Sequence, residues 1–173
     1  MMRSYQITSI FEDFTVLENV VLAALGRRGH ALRFWSPMLS RGDNRRVAED
    51  VLESTGLSAQ ANACAGSLGY GERRQLELAM SLAGDPRVLL LDEPMAGMSP
   101  QESAAVVALL QRLKRRFGIL LVEHDMDAVF ALADRITVLV YGKVIFTGTA
   151  AEIRRHPEVR AVYLGDDADW GTT

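Results

Sequence analysis

The sequence predicts an α/β protein built on a mainly parallel sheet, with a helical region ahead of its central strands. Three observations carry that reading. Arg87 to Leu91 and Ile119 to Val122 are short aliphatic runs, too short to span a bilayer but suited to parallel strands covered on both faces. Between them lies a helix with its own start signal, Ser99, Pro100 and Glu102, and apolar positions at Val106, Leu109, Leu110 and Leu113. Strand, helix, strand in this order closes a right-handed crossover with both strands parallel. Ahead of the first strand, Leu76, Ala79, Met80 and Ala83 recur at helical spacing behind a glycine-rich entrance, Leu68-Gly69-Tyr70-Gly71-Glu72.

The remaining elements follow in order. Thr15 and Glu18 form a capping box for a helix whose apolar face is Leu17, Val20, Val21 and Ala24. A second helix, roughly Asp43 to Ser54, turns Val47, Val51 and Leu52 inward and stops near Gly56. The glycine-opened helix ends at Gly84, read as its C′ stop. After His124, Asp125 caps a helix with Met126, Val129, Phe130 and Ala133 on one face. Ile136 to Val140 and Val144 to Phe146 make a hairpin around Tyr141-Gly142-Lys143, and Thr149 with Glu152 boxes another helix. His156 before Pro157 marks a helix boundary and not a ligand, and the acidic tail from Gly165 is expected to fray.

Composition narrows the function classes. The 173 residues are about half hydrophobic, enough for one domain with a real core. A net charge of −3 argues against a general nucleic-acid binder. One cysteine, Cys64, excludes internal disulfides and suits a reducing compartment, where the inert reading of its thiol is preferred to a reactive one. No apolar run reaches ~18 residues, so membrane association is expected to come through a partner.

The chemistry gathers at strand ends. Asp92 follows the first aliphatic run, at the carboxyl end where open α/β sheets bind ligands. An aspartate there can hold magnesium directly or through water, and Glu93 beside it can orient and deprotonate a water for attack on a phosphoryl group. An isolated Asp-Glu pair is more often a polar strand end, but its neighbours change the reading. Gly69 and Gly71 let a backbone approach an anion at a helix N-terminus, and the parallel crossover lets His124 share a sheet edge with Glu93, in reach of a γ-phosphate.

The order of glycine-rich signature, aliphatic Asp-Glu-Pro and strand-end histidine resembles the ATP-binding subunits of ABC transporters. The ending Tyr141 to Thr149, Glu152-Ile153 and His156 to Gly165 is similar to importers of branched-chain amino acids and related amides. The resemblance implies a P-loop NTPase-like fold with an inserted α-helical subdomain, divided as 1–14 Q-loop segment, 15–66 helical subdomain, 67–165 remainder of the core and 166–173 tail. It implies ATP and Mg2+ as cofactors. Leu68, Gly69, Tyr70, Gly71 and Glu72 become the signature that meets the opposite subunit's ATP, Ala96, Gly97, Met98 and Ser99 the D-loop, Asp92 the magnesium-holding Walker B aspartate, Glu93 the catalytic base, His124 the switch histidine and Gln6 the magnesium-contacting Q-loop glutamine. The family's usual serine is Gly69 here, and Ser67, two positions early, would face elsewhere, so the signature offers an amide where a hydroxyl is expected.

The implied partners are a second ATPase subunit and integral-membrane permease subunits at the cytoplasmic face, with no nucleic acid and no direct solute contact. Arg27, Arg28, Arg33, Arg41, Arg45 and Arg46 around Phe34-Trp35 read as a solvated linker first and a headgroup or permease contact second. The chain contains no Gly-x-x-x-x-Gly-Lys-Ser/Thr, and the resemblance places Gln6 well inside the domain. It is therefore expected to be N-terminally truncated and not competent alone. Two alternatives stand beside the importer ATPase: a non-catalytic partner lending its signature surface to a complete subunit, and an ABC-type ATPase of DNA repair, disfavoured by the lack of coiled-coil heptads.

Overall fold

The structure is a computed structural model and describes residues 2–3, 10–27 and 42–164. Gln6, most of the arginine-rich stretch and the acidic tail lie outside the described residues. The elements in chain order are β1 (Met2–Arg3), α1 (Val16–Arg27), α2 (Gly42–Thr55), α3 (Tyr70–Ala83), β2 (Val88–Asp92), α4 (Pro100–Leu113), β3 (Gly118–Val122), α5 (Met126–Leu132), β4 (Ile136–Val140), β5 (Lys143–Gly148) and α6 (Ala150–Arg155), with short helical turns continuing to Leu164. The chain divides into two compact units, Met1–Glu123 and His124–Thr173.

The first unit holds a parallel sheet in the order β1-β2-β3. Asp92 pairs with Val122 and Val88 with Gly118, so β2 and β3 run level and finish together. This is the crossover the sequence predicts, with α4 as its helix. The aliphatic runs nevertheless differ from expectation in burial. Leu89 and Leu91 are buried, but Leu120 and Val122 are 59% and 55% exposed. A run of four aliphatic residues reports β-propensity on both faces, whereas the described elements cover only alternate positions of this strand.

Helices α1, α2 and α3 share one core, in which Val16, Val20, Val21, Leu52, Leu57 and Leu76 are almost wholly buried. Each such side chain contributes roughly 1.5–3 kcal/mol through burial. Asn19, also fully buried, spends its amide on the segment before α1: it accepts from Phe11 N at 2.9 Å and donates to Phe11 O at 3.0 Å and Thr15 O at 2.9 Å. Thr15 and Glu18 close their capping box at 2.7–3.2 Å. The end of α3 corrects the sequence reading: Gly84 keeps a right-handed φ of −71°, and Asp85 takes the left-handed position at +46°. Aspartate tolerates that region through its short polar side chain, so the stop falls one residue late.

The second unit is an antiparallel hairpin, β4 with β5, backed by α5 and α6 over Ile136, Val138, Ile153 and Val159. Its turn is Tyr141-Gly142, with φ of 48° and 75°, the positive pair that two-residue hairpin loops require. Asp125 caps α5 and Thr149 boxes α6 with Glu152, both as read from sequence. His156 lies at the break after α6 with its ring 4.3 Å from that of Phe146.

Candidate functional site

Two structures meet on one side of the first unit, the turn that follows β2 and the entrance of α3, where Tyr70 reaches Ala96 and Gly97 and Gly71 faces Glu102. Asp92 is the last residue of β2, and its side chain is exposed. Glu93 leaves the strand in the left-handed region, φ +44°, while its amide still donates to Val122 O at 2.9 Å. A non-glycine residue held there carries of order 1–2 kcal/mol of backbone strain, the kind that structures keep at functional positions. Pro94 contributes, because a proline disfavours the right-handed region for the residue before it.

The turn that follows is held at several points. Ala96 N donates to Glu93 O at 3.1 Å, Met98 N to Met95 O at 3.2 Å, and Met95 N to the Glu123 carboxylate at 3.2 Å. Gly97 supplies the positive φ of 75°. Ser99 then caps α4: Glu102 N donates to Ser99 Oγ at 3.4 Å, while Ser99 N and Oγ donate to the Glu102 carboxylate at 2.8 and 2.7 Å. Hydrogen bonds from the Ser99 side chain and backbone, with a smaller one from the Gly71 backbone, hold the Glu102 carboxyl below its usual range.

The α3 entrance is fixed from its other side. Arg73 pairs with Glu12 at 2.9 Å and donates to Gly66 O at 2.8 Å and Leu68 O at 3.3 Å, while Gly66 N donates to Glu12 O at 2.9 Å. Ser67 Oγ donates to Cys64 O at 2.7 Å, so it is occupied and does not substitute for a hydroxyl at Gly69. Gly69 is the N-cap of α3 with φ −64° and no side chain to accept from the first turn. The second glycine has a different reason from the one its sequence suggests: a Cβ on Gly71 would overlap the Glu102 carboxyl group. Gly71 is small because the chain's own α4 approaches it.

These features fit a phosphate-bearing ligand with magnesium. A carboxylate stands open at a parallel strand end, a helix entrance lacks a side-chain cap, and magnesium brought in with phosphates needs only one or two carboxylates. Among the described residues no group of three or more His, Cys, Asp or Glu is placed to hold a metal by itself, and no helix is long and apolar enough to cross a membrane.

The ABC transporter family profile matches residues 2–96, and that of the branched-chain amino acid ATP-binding cassette transporter matches residues 143–169. The chain is 35% identical over 173 residues to the high-affinity branched-chain amino acid transport ATP-binding protein BraF of Pseudomonas aeruginosa, covering 96% of this chain and 68% of that protein. It is 35% identical over 175 residues to the corresponding LivG protein of Escherichia coli, with the same coverage. The chain belongs to the ABC transporter ATP-binding family. Its fold agrees with the crystal structure of the ADP conformation of an ATP-binding cassette of an ABC transporter, at a TM-score of 0.78 and 24% identity over 95% of this chain and 68% of that one. The fold class is thus that of the P-loop NTPases, and the family binds and hydrolyses ATP. These relatives are transport proteins or cassettes of transporters, which leaves the DNA-repair alternative without support.

Within this ABC cassette, the structure brings Tyr70 and Gly71 of the 68–72 segment against Ala96, Gly97 and Glu102, and Asp92 and Glu93 lead into that turn from β2. His124 follows β3 by two residues as the first residue of the second unit and is exposed. Gln6 lies three positions beyond β1, outside the described residues. Sequence reasoning passed over Glu102 beyond its capping role, Glu123 and Arg73. The Gly71 to Glu102 and Met95 to Glu123 contacts join residues distant in sequence, and only the two-glycine spacing carried a trace of the first.

Proposed function

We propose that this chain is part of the ATP-hydrolysing subunit that powers an ABC importer for branched-chain amino acids or related amides. The observation that carries the proposal is the exposed Asp92 with Glu93 at a parallel strand end, leading into a turn that Tyr70 ties to the glycine-opened entrance of α3. The C-terminal profile match and the two relatives support the solute class.

When bound, ATP with magnesium supplies a phosphoryl group for transfer to water. Asp92 holds the magnesium, directly or through water, and Gln6 contributes a second oxygen. A Glu93 carboxylate oxygen orients the attacking water and takes its proton. His124 steadies the γ-phosphate by donating from its imidazole. Leu68 to Glu72 presents the α3 amides to the nucleotide of an opposite subunit, with Ala96 to Ser99 as the D-loop. Closure and reopening of that dimer would shift a permease at the membrane's cytoplasmic face between its two states. The 173 residues hold no Gly-x-x-x-x-Gly-Lys-Ser/Thr, so the proposal assigns the phosphate cradle to residues outside them and expects no tight nucleotide binding by this chain alone.

The test is equilibrium binding of ATP and magnesium to the 173-residue chain, alone and mixed with the complete E. coli LivG protein. No binding alone and binding in excess of LivG's own in the mixture is the expected result. Micromolar binding by the chain alone would overturn the assignment of the cradle. A mixture no better than LivG would remove the signature role. Where the mixture turns over, Glu93→Gln should lower the chain-dependent rate by about 10²–10⁴ and leave binding intact.

A further inference from the structure

Tyr70 is the first residue of α3, and its ring is half exposed, yet its hydroxyl is engaged twice within the fold. It donates to Ala96 O at 2.8 Å and accepts from Arg74 Nη2 at 3.3 Å. Arg74 stacks 5.6 Å above the same ring and is itself held by Glu77 at 2.8 Å. The ring also lies against Gly97, within 3.4–3.5 Å of where a Cβ would stand. Glu123 fixes the amide of Met95 in the same turn. The turn after Glu93 is therefore pinned at one end to Glu123, just beyond β3, and at the other to α3.

We propose that Tyr70 is a positioning residue, whose hydroxyl ties the 95–98 turn to the α3 entrance so that a phosphate-bearing ligand at Gly69 to Gly71 also fixes the turn leaving Asp92 and Glu93. In the dimer proposed above, on which this rests, the α3 entrance faces one nucleotide and Asp92-Glu93 serves the other. Tyr70 then carries information between the two within a single chain, through one side chain and one carbonyl. Arg74 assists by holding the phenol in the rotamer that reaches Ala96.

The experiment is residue-resolved amide exchange and NMR on the full 173-residue chain, wild type and Tyr70→Phe, which keeps the ring and removes only the hydroxyl. Losing one hydrogen bond of ordinary strength should speed exchange at Ala96 and Met98 by about threefold to tenfold and leave α1 and α2 unchanged. Unchanged exchange at Ala96 and Met98, or an equal rise across all three helices, overturns the proposal. The second arm adds unlabelled complete E. coli LivG protein with ATP and magnesium as the probe, because the chain alone is expected to bind none. Wild type should show shifts at Gly69 to Gly71 and at Ala96 to Met98 with one midpoint, and Tyr70→Phe should keep the first set and lose the second. Retention of both sets overturns the coupling. Absence of any shift at Gly69 to Gly71 overturns the proposed signature face, while the exchange arm still decides the tie itself.

Discussion

Helices α3 and α4 are each 14 residues long and each carries glutamate at its third position, yet their N-termini are finished in opposite ways. In α4 the box is reciprocal: Ser99 receives the Glu102 amide and returns its own amide and hydroxyl to the Glu102 carboxylate. In α3 only half of it exists. Glu72 takes the Gly69 amide at 3.0 Å and a second hydrogen bond from Gln60 at 3.0 Å, but Gly69 has nothing to give the first turn. A helix that caps itself has settled its orphan donors, and one that opens on glycine leaves some of them for another group. The difference separates a structural N-terminus from a ligand-facing one within one unit of one chain.

Four changes would break or sharpen that contrast. Ser99→Ala removes the acceptor of the self-capped helix and should cost about 1 kcal/mol, a drop of roughly 2–4 °C in the midpoint of thermal unfolding. A variant as stable as wild type would mean that the box does not hold α4. Gly71→Ala is expected to push Glu102 out of that box, so it should destabilise more in the wild-type chain than in a Glu102→Ala background, where the gain in helix propensity remains. Additive effects in urea unfolding would show that the two helix ends are independent. Gly69→Ser finds room, since the nearest atom to a Cβ there is Glu72 Oε2 at 3.7 Å, and should stabilise by a few tenths of a kcal/mol by completing the α3 box. The smallest effect is in acid. The Glu102 carboxyl is held below its ordinary 4.5, so its contribution is present above that value and fades as pH falls through the lower folded one. Glu102→Gln should flatten the loss of urea midpoint below about pH 4.5, and an unchanged slope would assign the acid sensitivity elsewhere.

What the sequence disclosed was local. The boxes at Thr15 with Glu18, Ser99 with Glu102 and Thr149 with Glu152, and the Asp125 cap, are satisfied within three residues, so the pattern and the hydrogen bonds coincide. The parallel crossover was equally legible, since two aliphatic runs flanking one amphipathic helix leave few topologies. What escaped depends on groups far apart in the chain. Tyr70 and Ala96 are 26 positions apart, and nothing in either residue announces the other. The left-handed backbone of Glu93 was also hidden, because a glutamate carries no conformational signal of the sort a glycine would, and Pro94 only removes one alternative. The exposed face of β3 was misread because aliphatic composition describes a strand's preference for cover and not its supply.

That face has a practical consequence for anyone handling the protein. Leu120 and Val122 stand on the same side of the last strand in the described sheet, a stripe of oil along an unpaired ladder. A net charge of only −3 supplies little repulsion between molecules, and added salt screens what there is. Light scattering from concentrated solutions should therefore climb with ionic strength, and a single lysine at position 120 should turn the stripe from an adhesive into a spacer.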